Sequence, residues 1–172
     1  MRIFLLGLPG SGKTTVGKEL AGLLNMPFVD LDAEIERSEG MDIKDIFKNR
    51  KEDYFRKAES SRLKHWIGVA PDFAMATGGG APCFFDNLSV MNTSGTTIFL
   101  DVPPGEIARR IMGAELADRP LFANVHPENL KDQIEFMRSQ RISYYRQARI
   151  VVGGADVSAD EIARRIRMET QS

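Results

Sequence analysis

The fold of this chain is decided by the stretch Gly7–Thr14, which reads GLPGSGKT and matches the pattern G-x-x-x-x-G-K-[ST] in full. The apolar run Ile3–Leu6 before it predicts a buried strand, and Lys13–Leu24 after it predicts a helix. Glycines let backbone N–H groups turn inward around a phosphate, and the helix N-terminus adds positive potential there. Lys13 supplies a cation for the β and γ phosphates, and Thr14 supplies a hydroxyl ligand for Mg²⁺. The stretch therefore predicts a site for a nucleoside triphosphate with magnesium.

Composition excludes several other classes of protein. The length of 172 residues suits one domain, and a formal net charge of −1 gives no basic field for nucleic acid. No apolar run approaches the roughly 20 residues that span a bilayer. The single cysteine, Cys83, cannot form an internal disulfide, so a reducing cytosol is the simplest location. We expect one cytoplasmic domain over residues 1–172, a monomer, with no nucleic-acid or membrane partner.

Short apolar runs alternate with helical segments along the chain. The predicted strands are Ile3–Leu6, Pro27–Asp30, Phe73–Ala76, Thr97–Asp101 and Ile150–Val152. The predicted helices are Lys13–Leu24, Asp53–Gly68, Pro104–Met112, Asn129–Tyr145 and Ser158–Met168. This alternation predicts an α/β fold with a mainly parallel sheet covered on both faces.

Two stretches interrupt this alternation. Residues 31–51 favour short helices rather than one element, with Gly40 between them. Residues 113–127 are polar and carry Arg119 next to a proline. Loops of that length in a compact domain are often functional lids, so we interpret this one as a flap on the same domain.

Two carboxylates follow the second predicted strand. Asp30 and Asp32 lie at its carboxyl end, and ligands of open parallel sheets bind outside that edge. Residues two apart in an extended segment point the same way, so both carboxylates are expected to reach the phosphate-transfer site. One would hold magnesium through water, and the other would orient or deprotonate an acceptor hydroxyl. The alternative is that they form a helix N-cap or a solvated turn.

A glycine run and three arginines complete the predicted acceptor side. Gly78–Gly80 follows the apolar run Phe73–Ala76, and glycines there would let a second ligand approach the backbone N–H groups closely. Arg56, Arg119 and Arg141 offer guanidinium groups, which bind carboxylates in a bidentate manner. The alternative for any single arginine is a solvated helix face, and sequence spacing alone does not select these three.

The ordered set of motifs resembles the shikimate kinase family over nearly the whole chain. After Gly7–Thr14 the set comprises Asp30-x-Asp32-x-x-Ile35-Glu36, Ile43-x-x-Ile46-Phe47, Phe55-Arg56-x-x-Glu59, Gly78-Gly79-Gly80, Arg119-Pro120-Leu121 and Arg141-x-x-x-Tyr145. The resemblance implies a P-loop kinase fold, with a five-stranded parallel sheet flanked by helices, a lid near residues 113–127 and a helical substrate-binding region near residues 31–60. It also implies transfer of the γ-phosphoryl group of ATP to the 3-hydroxyl of shikimate, in aromatic amino-acid biosynthesis, with Mg²⁺ as cofactor.

The resemblance also implies a role for each matching residue. The implied nucleotide site is Gly10, Ser11, Gly12, Lys13, Thr14, Thr15 and Arg119, with Arg109 or Arg110 helping to hold the nucleotide. The implied shikimate site is Asp32, Arg56, Gly78, Gly79, Gly80 and Arg141, and the implied metal ligands are Thr14 and Asp30. Asp32 would be the base, assisted in catalysis by Lys13 and by Arg119, which would close with the lid.

The chain departs from the family pattern in places, and rivals remain. The lid has Phe122 where a second leucine is usual, Ser143 stands where many members have proline, and residues 153–159 lack the basic residue and proline of some members. A gluconate kinase is disfavoured, because such enzymes tend to carry His-Pro shortly after the second aspartate. A nucleoside monophosphate kinase would need a base-recognition pocket that the sequence does not reveal. A non-catalytic nucleotide-binding module would have a broken acceptor side.

Overall fold

The computed structural model describes residues 1–113, 122 and 124–169. Its centre is one five-stranded sheet in the order β2-β3-β1-β4-β5, and every neighbouring pair of strands is parallel. The strands are β1 (Arg2–Leu6), β2 (Phe28–Asp30), β3 (Phe73–Ala76), β4 (Thr96–Asp101) and β5 (Ile150–Gly153). All five strands were predicted to within one residue at each end, and the parallel α/β fold is confirmed.

Helices cover the sheet on both faces, as parallel strands require. They are α1 (Lys13–Leu23), α2 (Leu31–Glu39), α3 (Ile43–Val69), α4 (Asn87–Ser94), α5 (Pro104–Gly113), α6 (Leu130–Tyr145) and α7 (Ala159–Glu169). Side chains alternate along β1, so that Phe4 and Leu6 pack with α2 to α6 while Ile3 and Leu5 pack with α1 and α7. The two apolar cores hold the carboxyl ends of the strands at one edge, where the loops gather.

The segment between β2 and β3 is helical, as predicted. Asp30 caps α2 with its side chain, and Gly40 ends that helix with a φ of 68°. Asp42 caps α3, which has a kink at Lys51, where the backbone is not helical (φ 68°, ψ 172°). The part before the kink is the second short helix expected in residues 31–51, and the part after it begins within one residue of the predicted start at Asp53.

Helix α4 was not predicted. Its sequence, NLSVMNTS, is rich in Asn, Ser and Thr, which have weak helix propensity, and so it gives little periodic signal. Tertiary contacts stabilise it instead: the Asn87 side chain is fully buried, accepting from Ser60 Oγ at 2.7 Å and donating to Ala81 O at 2.9 Å. These bonds tie α4 and α3 to the chain that follows the glycine run.

Most of the predicted lid lies outside the described residues, and so does Arg119. At its end, Phe122 is buried in the core and a 3₁₀ turn spans Pro127–Asn129. No helix in the described part of the chain is both long and apolar enough to cross a membrane.

Candidate active site

The loop Gly7–Thr14 joins β1 to α1 at the carboxyl edge of the sheet. Gly7, Gly10 and Gly12 have φ values of 147°, 84° and 93°, which side chains rarely adopt, so the curl of this loop depends on glycine. The Lys13 ammonium lies over the loop, donating to the carbonyls of Gly7 at 2.8 Å and Leu8 at 3.0 Å. The loop therefore has the strand–turn–helix setting that phosphate binding requires.

A cleft of about 760 Å³ opens above this loop. All the residues predicted to bind nucleotide line it, apart from Arg119, which lies outside the described residues: Gly10, Ser11, Gly12, Lys13, Thr14 and Thr15. Its far end is formed by Arg110 and by residues 156–158, the loop before α7. The cleft is large enough for a nucleotide, and pockets of this volume commonly hold small-molecule ligands.

Thr14 and Asp30 form a hard-oxygen pair on the floor of the cleft. Thr14 Oγ1 donates to Asp30 Oδ2 at 3.1 Å. The other carboxylate oxygen of Asp30 caps α2, accepting from the backbone N–H groups of Asp32 at 3.1 Å and Ala33 at 3.3 Å. A hydroxyl and a carboxylate at this spacing fit Mg²⁺, which takes one or two protein oxygens and completes its shell with phosphates and water. Within residues 1–113, 122 and 124–169 no larger metal-binding cluster of His, Cys, Asp or Glu occurs.

Asp32 reaches the same cleft by a route that differs from the prediction. The expectation that Asp30 and Asp32 share one face of an extended segment is wrong, because β2 ends at Asp30 and Asp32 lies in the first turn of α2. The helix turns the Asp32 side chain inward, where its Oδ1 is buried without a hydrogen-bond partner in the described part of the chain. Burial, and next the negative charge of Asp30, raise the pKa of Asp32 to about 6.

A second cavity, of about 680 Å³, adjoins the first. Four residues line both cavities: Pro9, Asp32, Gly78 and Gly79. The other walls come from α2, α3, α6 and the glycine run, including Glu36, Phe47, Arg56, Glu59, Gly80 and Arg141. All the residues that were predicted to bind the acceptor line this cavity. Asp32 thus lies where a phosphoryl donor in one cavity and a phosphoryl acceptor in the other would meet.

Arg56 is held in this second cavity by two carboxylates and an aromatic ring. Its Nη1 donates to Glu59 Oε2 at 2.9 Å, and its Nη2 and Nε donate to Glu52 Oε1 at 3.3 Å. The guanidinium also lies 4.2 Å from the centre of the Phe84 ring. Glu59 is fully buried, and although Arg56 lowers its pKa, burial dominates and raises it to about 7.

Arg141, on α6, lines the same cavity as Arg56. Its Nη1 is buried and has no hydrogen-bond partner within the residues that the structure describes. One turn later on the same helix, the fully buried Tyr145 donates from its hydroxyl to Gly79 O at 2.6 Å. A buried guanidinium nitrogen with an unused donor is what an anionic ligand in this cavity would satisfy.

The structure separates two arginines that the sequence could not separate. Arg110 lies at the nucleotide cleft, where it donates to Ser11 O at 3.4 Å and to the carbonyl of Ala155. Arg109 points to solvent with 72% of its side chain exposed, and pairs with Glu106. Of the two, only Arg110 connects the phosphate loop to the loop before α7.

The contact between Glu59 and Arg56 was not predicted. Glu59 belongs to the motif Phe55-Arg56-x-x-Glu59, and its i, i+3 spacing from Arg56 on a predicted helix is a signal that the two can pair. The contacts of Pro9 and Phe84 were not predicted either, because they depend on which loops meet in three dimensions, and no local pattern reveals that.

Comparison with known proteins decides the family. The family model described as shikimate kinase matches residues 9–171. A shikimate kinase from Bacteroides fragilis is 41% identical over 170 residues, covering 99% of this chain and 91% of the relative. The chain belongs to the shikimate kinase family. The motif resemblance is thereby confirmed.

Solved structures of the family have the same fold. A shikimate kinase from Bacteroides thetaiotaomicron superposes with a TM-score of 0.88 at 34% identity, covering 100% of this chain and 99% of the other. A shikimate kinase from Acinetobacter baumannii, solved in complex with shikimate, gives a TM-score of 0.84 at 32% identity, with coverages of 99% and 92%. The P-loop kinase fold of the shikimate kinase family is confirmed over the described chain.

Proposed function

We propose that this protein is a shikimate kinase, which transfers the γ-phosphoryl group of ATP to the 3-hydroxyl of shikimate. The observation that carries the proposal is the pair of cavities that meet at Asp32. One is built on the phosphate loop, and the other contains Arg56 and Arg141. Shikimate has a carboxylate for the arginines and hydroxyls for Asp32, which matches this second cavity in charge and polarity.

Asp32 is proposed to orient or deprotonate the acceptor hydroxyl. A base works best with a pKa near the operating pH, and burial raises the pKa of Asp32 to about 6. Lys13 is proposed to balance charge on the transferred phosphoryl group, as Arg119 would from the lid. Phosphoryl transfer needs little covalent help from a protein, so catalysis rests on alignment of the two cavities and on neutralised charge.

Thr14 and Asp30 are proposed to hold Mg²⁺ together with the nucleotide phosphates. When bound, the ion would reduce the negative charge of the phosphates. The Thr14 hydroxyl and the Asp30 carboxylate would hold the ion, and the 3.1 Å hydrogen bond between them supports a shared role. Asp30 is held in place for this by its capping of α2.

The second cavity, which is the proposed acceptor cavity, supports residues 31–60 as the substrate-binding region, because α2 and α3 supply Asp32, Arg56 and Glu59 to it. Both cavities are lined by residues of a single chain, and a monomer is therefore proposed as the active form. Gluconate also has a carboxylate, so the two arginines are compatible with a gluconate kinase as well, and the choice of acceptor must be measured. A binding module without turnover would not need Asp32 between the two cavities.

An acceptor panel tests the proposal. Purified protein is incubated with MgATP and, in turn, with shikimate, gluconate or a nucleoside monophosphate, and ADP is measured. ADP release that depends on shikimate alone supports the proposal. Release with gluconate or a monophosphate and none with shikimate would replace it with one of the rival kinases, and binding of ATP without any transfer would indicate the non-catalytic module.

A further inference from the structure

The glycine run Gly78–Gly80 is not explained by its backbone. Gly7, Gly10 and Gly12 of the phosphate loop have positive φ values that favour glycine, but none of the residues 78–80 has a φ in the left-handed region. Gly80, for example, has φ −87° and ψ −15°, which alanine adopts freely. The reason for three consecutive glycines must therefore lie in what surrounds them.

Each glycine is in close contact with different ionisable side chains of the acceptor cavity. A β-carbon on Gly78 would lie 2.7 Å from Glu59 Oε1 and 3.1 Å from Asp32 Oδ1. On Gly80 it would lie 2.6 Å and 2.7 Å from the two terminal nitrogens of Arg56. The separations of 2.6–2.7 Å are shorter than a carbon keeps from nitrogen or oxygen, so a methyl group would displace Glu59 in one case and the guanidinium of Arg56 in the other. Asp32, at 3.1 Å, would have to shift by a few tenths of an ångström.

Gly79 is packed between the donor and acceptor sides. A β-carbon there would lie 2.9 Å from Pro9 Cδ, in the phosphate loop, and 3.0 Å from Arg141 Nη1. Pro9 and Gly79 line both cavities. The absence of a side chain at position 79 thus sets how closely the phosphate loop approaches the acceptor loop.

The glycine run cannot easily move to make room for such a methyl group, because hydrogen bonds hold its backbone in place. Tyr145 donates to Gly79 O at 2.6 Å, and Ala81 N donates to Gly78 O at 3.0 Å. The buried Asn87 then holds Ala81 O at 2.9 Å. An added side chain would therefore displace the facing charged groups rather than the loop.

We propose that the three glycines of the run are positioning residues, which together form a template for the side chains around them. Gly78 leaves room for Asp32 and Glu59. Gly79 leaves room for Pro9 and Arg141, and Gly80 leaves room for Arg56. This proposal rests on the proposed function for its kinetic signature. Gly78 fixes the base, so its loss affects turnover, whereas Gly80 fixes the carboxylate-binding arginine, so its loss affects binding of the acid. Gly79 fixes the distance between donor and acceptor and affects both.

Single alanine variants test the template. Gly78→Ala is expected to lower kcat by about tenfold or more with a smaller change in the KM for shikimate, whereas Gly80→Ala raises that KM by about tenfold or more and leaves the KM for ATP within about twofold. Gly68→Ala is the matched control, because no atom lies within 4 Å of the β-carbon it adds, and its kinetics should stay unchanged. The same pattern of changes in kcat and KM in Gly78→Ala and Gly80→Ala, or no change in either variant, would overturn the proposal.

A double-mutant cycle separates positioning from general damage to the fold. In an Arg56→Lys background the guanidinium fork is absent, so adding Gly80→Ala should change the KM for shikimate by no more than about twofold. If instead the effects of the two substitutions on the KM for shikimate multiply in full, the methyl group does not act through Arg56 and the template is wrong. This cycle also remains informative if Gly78→Ala fails to fold.

A readout without substrate distinguishes failure of the template from failure of the proposed function. If the unmodified protein does not phosphorylate shikimate, the function is wrong, but the Nε–H resonance of Arg56 can still be followed by ¹⁵N NMR. Gly80→Ala should shift that resonance, and Gly68→Ala should not. An unchanged Arg56 resonance in Gly80→Ala would overturn the template whatever the substrate.

Discussion

Arg56 donates to Glu59 at 2.9 Å in the wall of the acceptor cavity, and Glu59 is fully buried. A buried ion pair is a weak source of stability, because both charges lose their hydration. Its consequence here is geometric. Glu59 accepts from Nη1, Glu52 accepts from Nη2 and Nε, and Phe84 packs at 4.2 Å, so one N–H on each terminal nitrogen of Arg56 remains for a ligand.

Replacing Arg56 tests the carboxylate clamp. Arg56→Ala should raise the KM for shikimate by about 10- to 100-fold and the KM for ATP by less than about threefold, because one charge-assisted bidentate contact is lost on the acceptor side only. Arg56→Lys should recover only part of the loss, since an ammonium cannot form the fork. Steady-state kinetics with each substrate varied in turn measures both constants. An equal rise in the two KM values would rule out the clamp.

Stability should depend on pH through Glu59. Burial raises the pKa of Glu59 from its ordinary 4.5 to about 7 in the folded protein. The protonated form is therefore favoured by folding: its contribution is complete below pH 4.5 and is lost as the pH rises towards 7. Relative to Glu59→Gln, which cannot ionise, the free energy of unfolding of the wild type should fall over this interval by roughly 1–3 kcal/mol.

Denaturant unfolding at a series of pH values measures that difference. Glu135→Gln is a suitable control, because Glu135 is 51% exposed in a surface pair with Lys131 and its removal should leave the profile parallel to the wild type. A Glu59→Gln profile that also runs parallel to the wild type from pH 4.5 to 7 would show that Glu59 keeps its ordinary pKa.

The pairing of Thr14 with Asp30 predicts a change in magnesium requirement. Asp30→Asn keeps a good N-cap for α2 but removes the charge, so stability should change by less than about 0.5 kcal/mol. The Mg²⁺ concentration for half-maximal rate should rise by about tenfold at fixed ATP, because a neutral amide attracts the cation less than a carboxylate does. Asp86→Asn, at an exposed pair with Lys64, is the control for loss of one negative charge. An unchanged requirement in Asp30→Asn would remove Asp30 from the metal site.

Alanine variants of Arg109 and Arg110 form a matched pair that tests which arginine contributes to ATP binding. Both contact Glu106, but only Arg110 also bonds the carbonyls of Ser11 and Ala155 at the cleft. Arg110→Ala should raise the KM for ATP by about tenfold, and Arg109→Ala should change it by less than about twofold. Initial rates with ATP varied at saturating shikimate give the comparison. The opposite order would place the nucleotide on the other face of α5.

The sheet and most helices could be predicted because each is encoded locally. Short apolar runs gave the five strands, and Gly40 gave the boundary between α2 and α3. The position of Asp32 was not encoded in this way: whether the chain continues extended or turns helical after Asp30 depends on the Asp30 cap, which a pattern of alternating side chains does not reveal.

The site was predictable where a motif has one mechanism, and unpredictable where it depends on contacts between distant loops. Gly7–Thr14 is the first kind, since its glycines have conformations that few residues tolerate. The choice of Arg110 over Arg109 is the second kind, because it depends on which face of α5 meets the phosphate loop. Gly78–Gly80 was predicted to let a ligand approach the backbone. The structure supplies a further reason for glycine there, the proximity of Asp32, Glu59 and the two arginines.

In the proposed reaction, the γ-phosphoryl group of ATP passes from the phosphate-loop cleft to a hydroxyl held at Asp32. NMR of the reaction mixture tests this, with ³¹P spectra for the phosphate and ¹H–¹³C spectra for the ring. We predict one new phosphomonoester on the 3-hydroxyl of shikimate, formed in equal amount to ADP. ADP accompanied by inorganic phosphate alone, or a phosphate on another hydroxyl, would contradict transfer to the 3-hydroxyl.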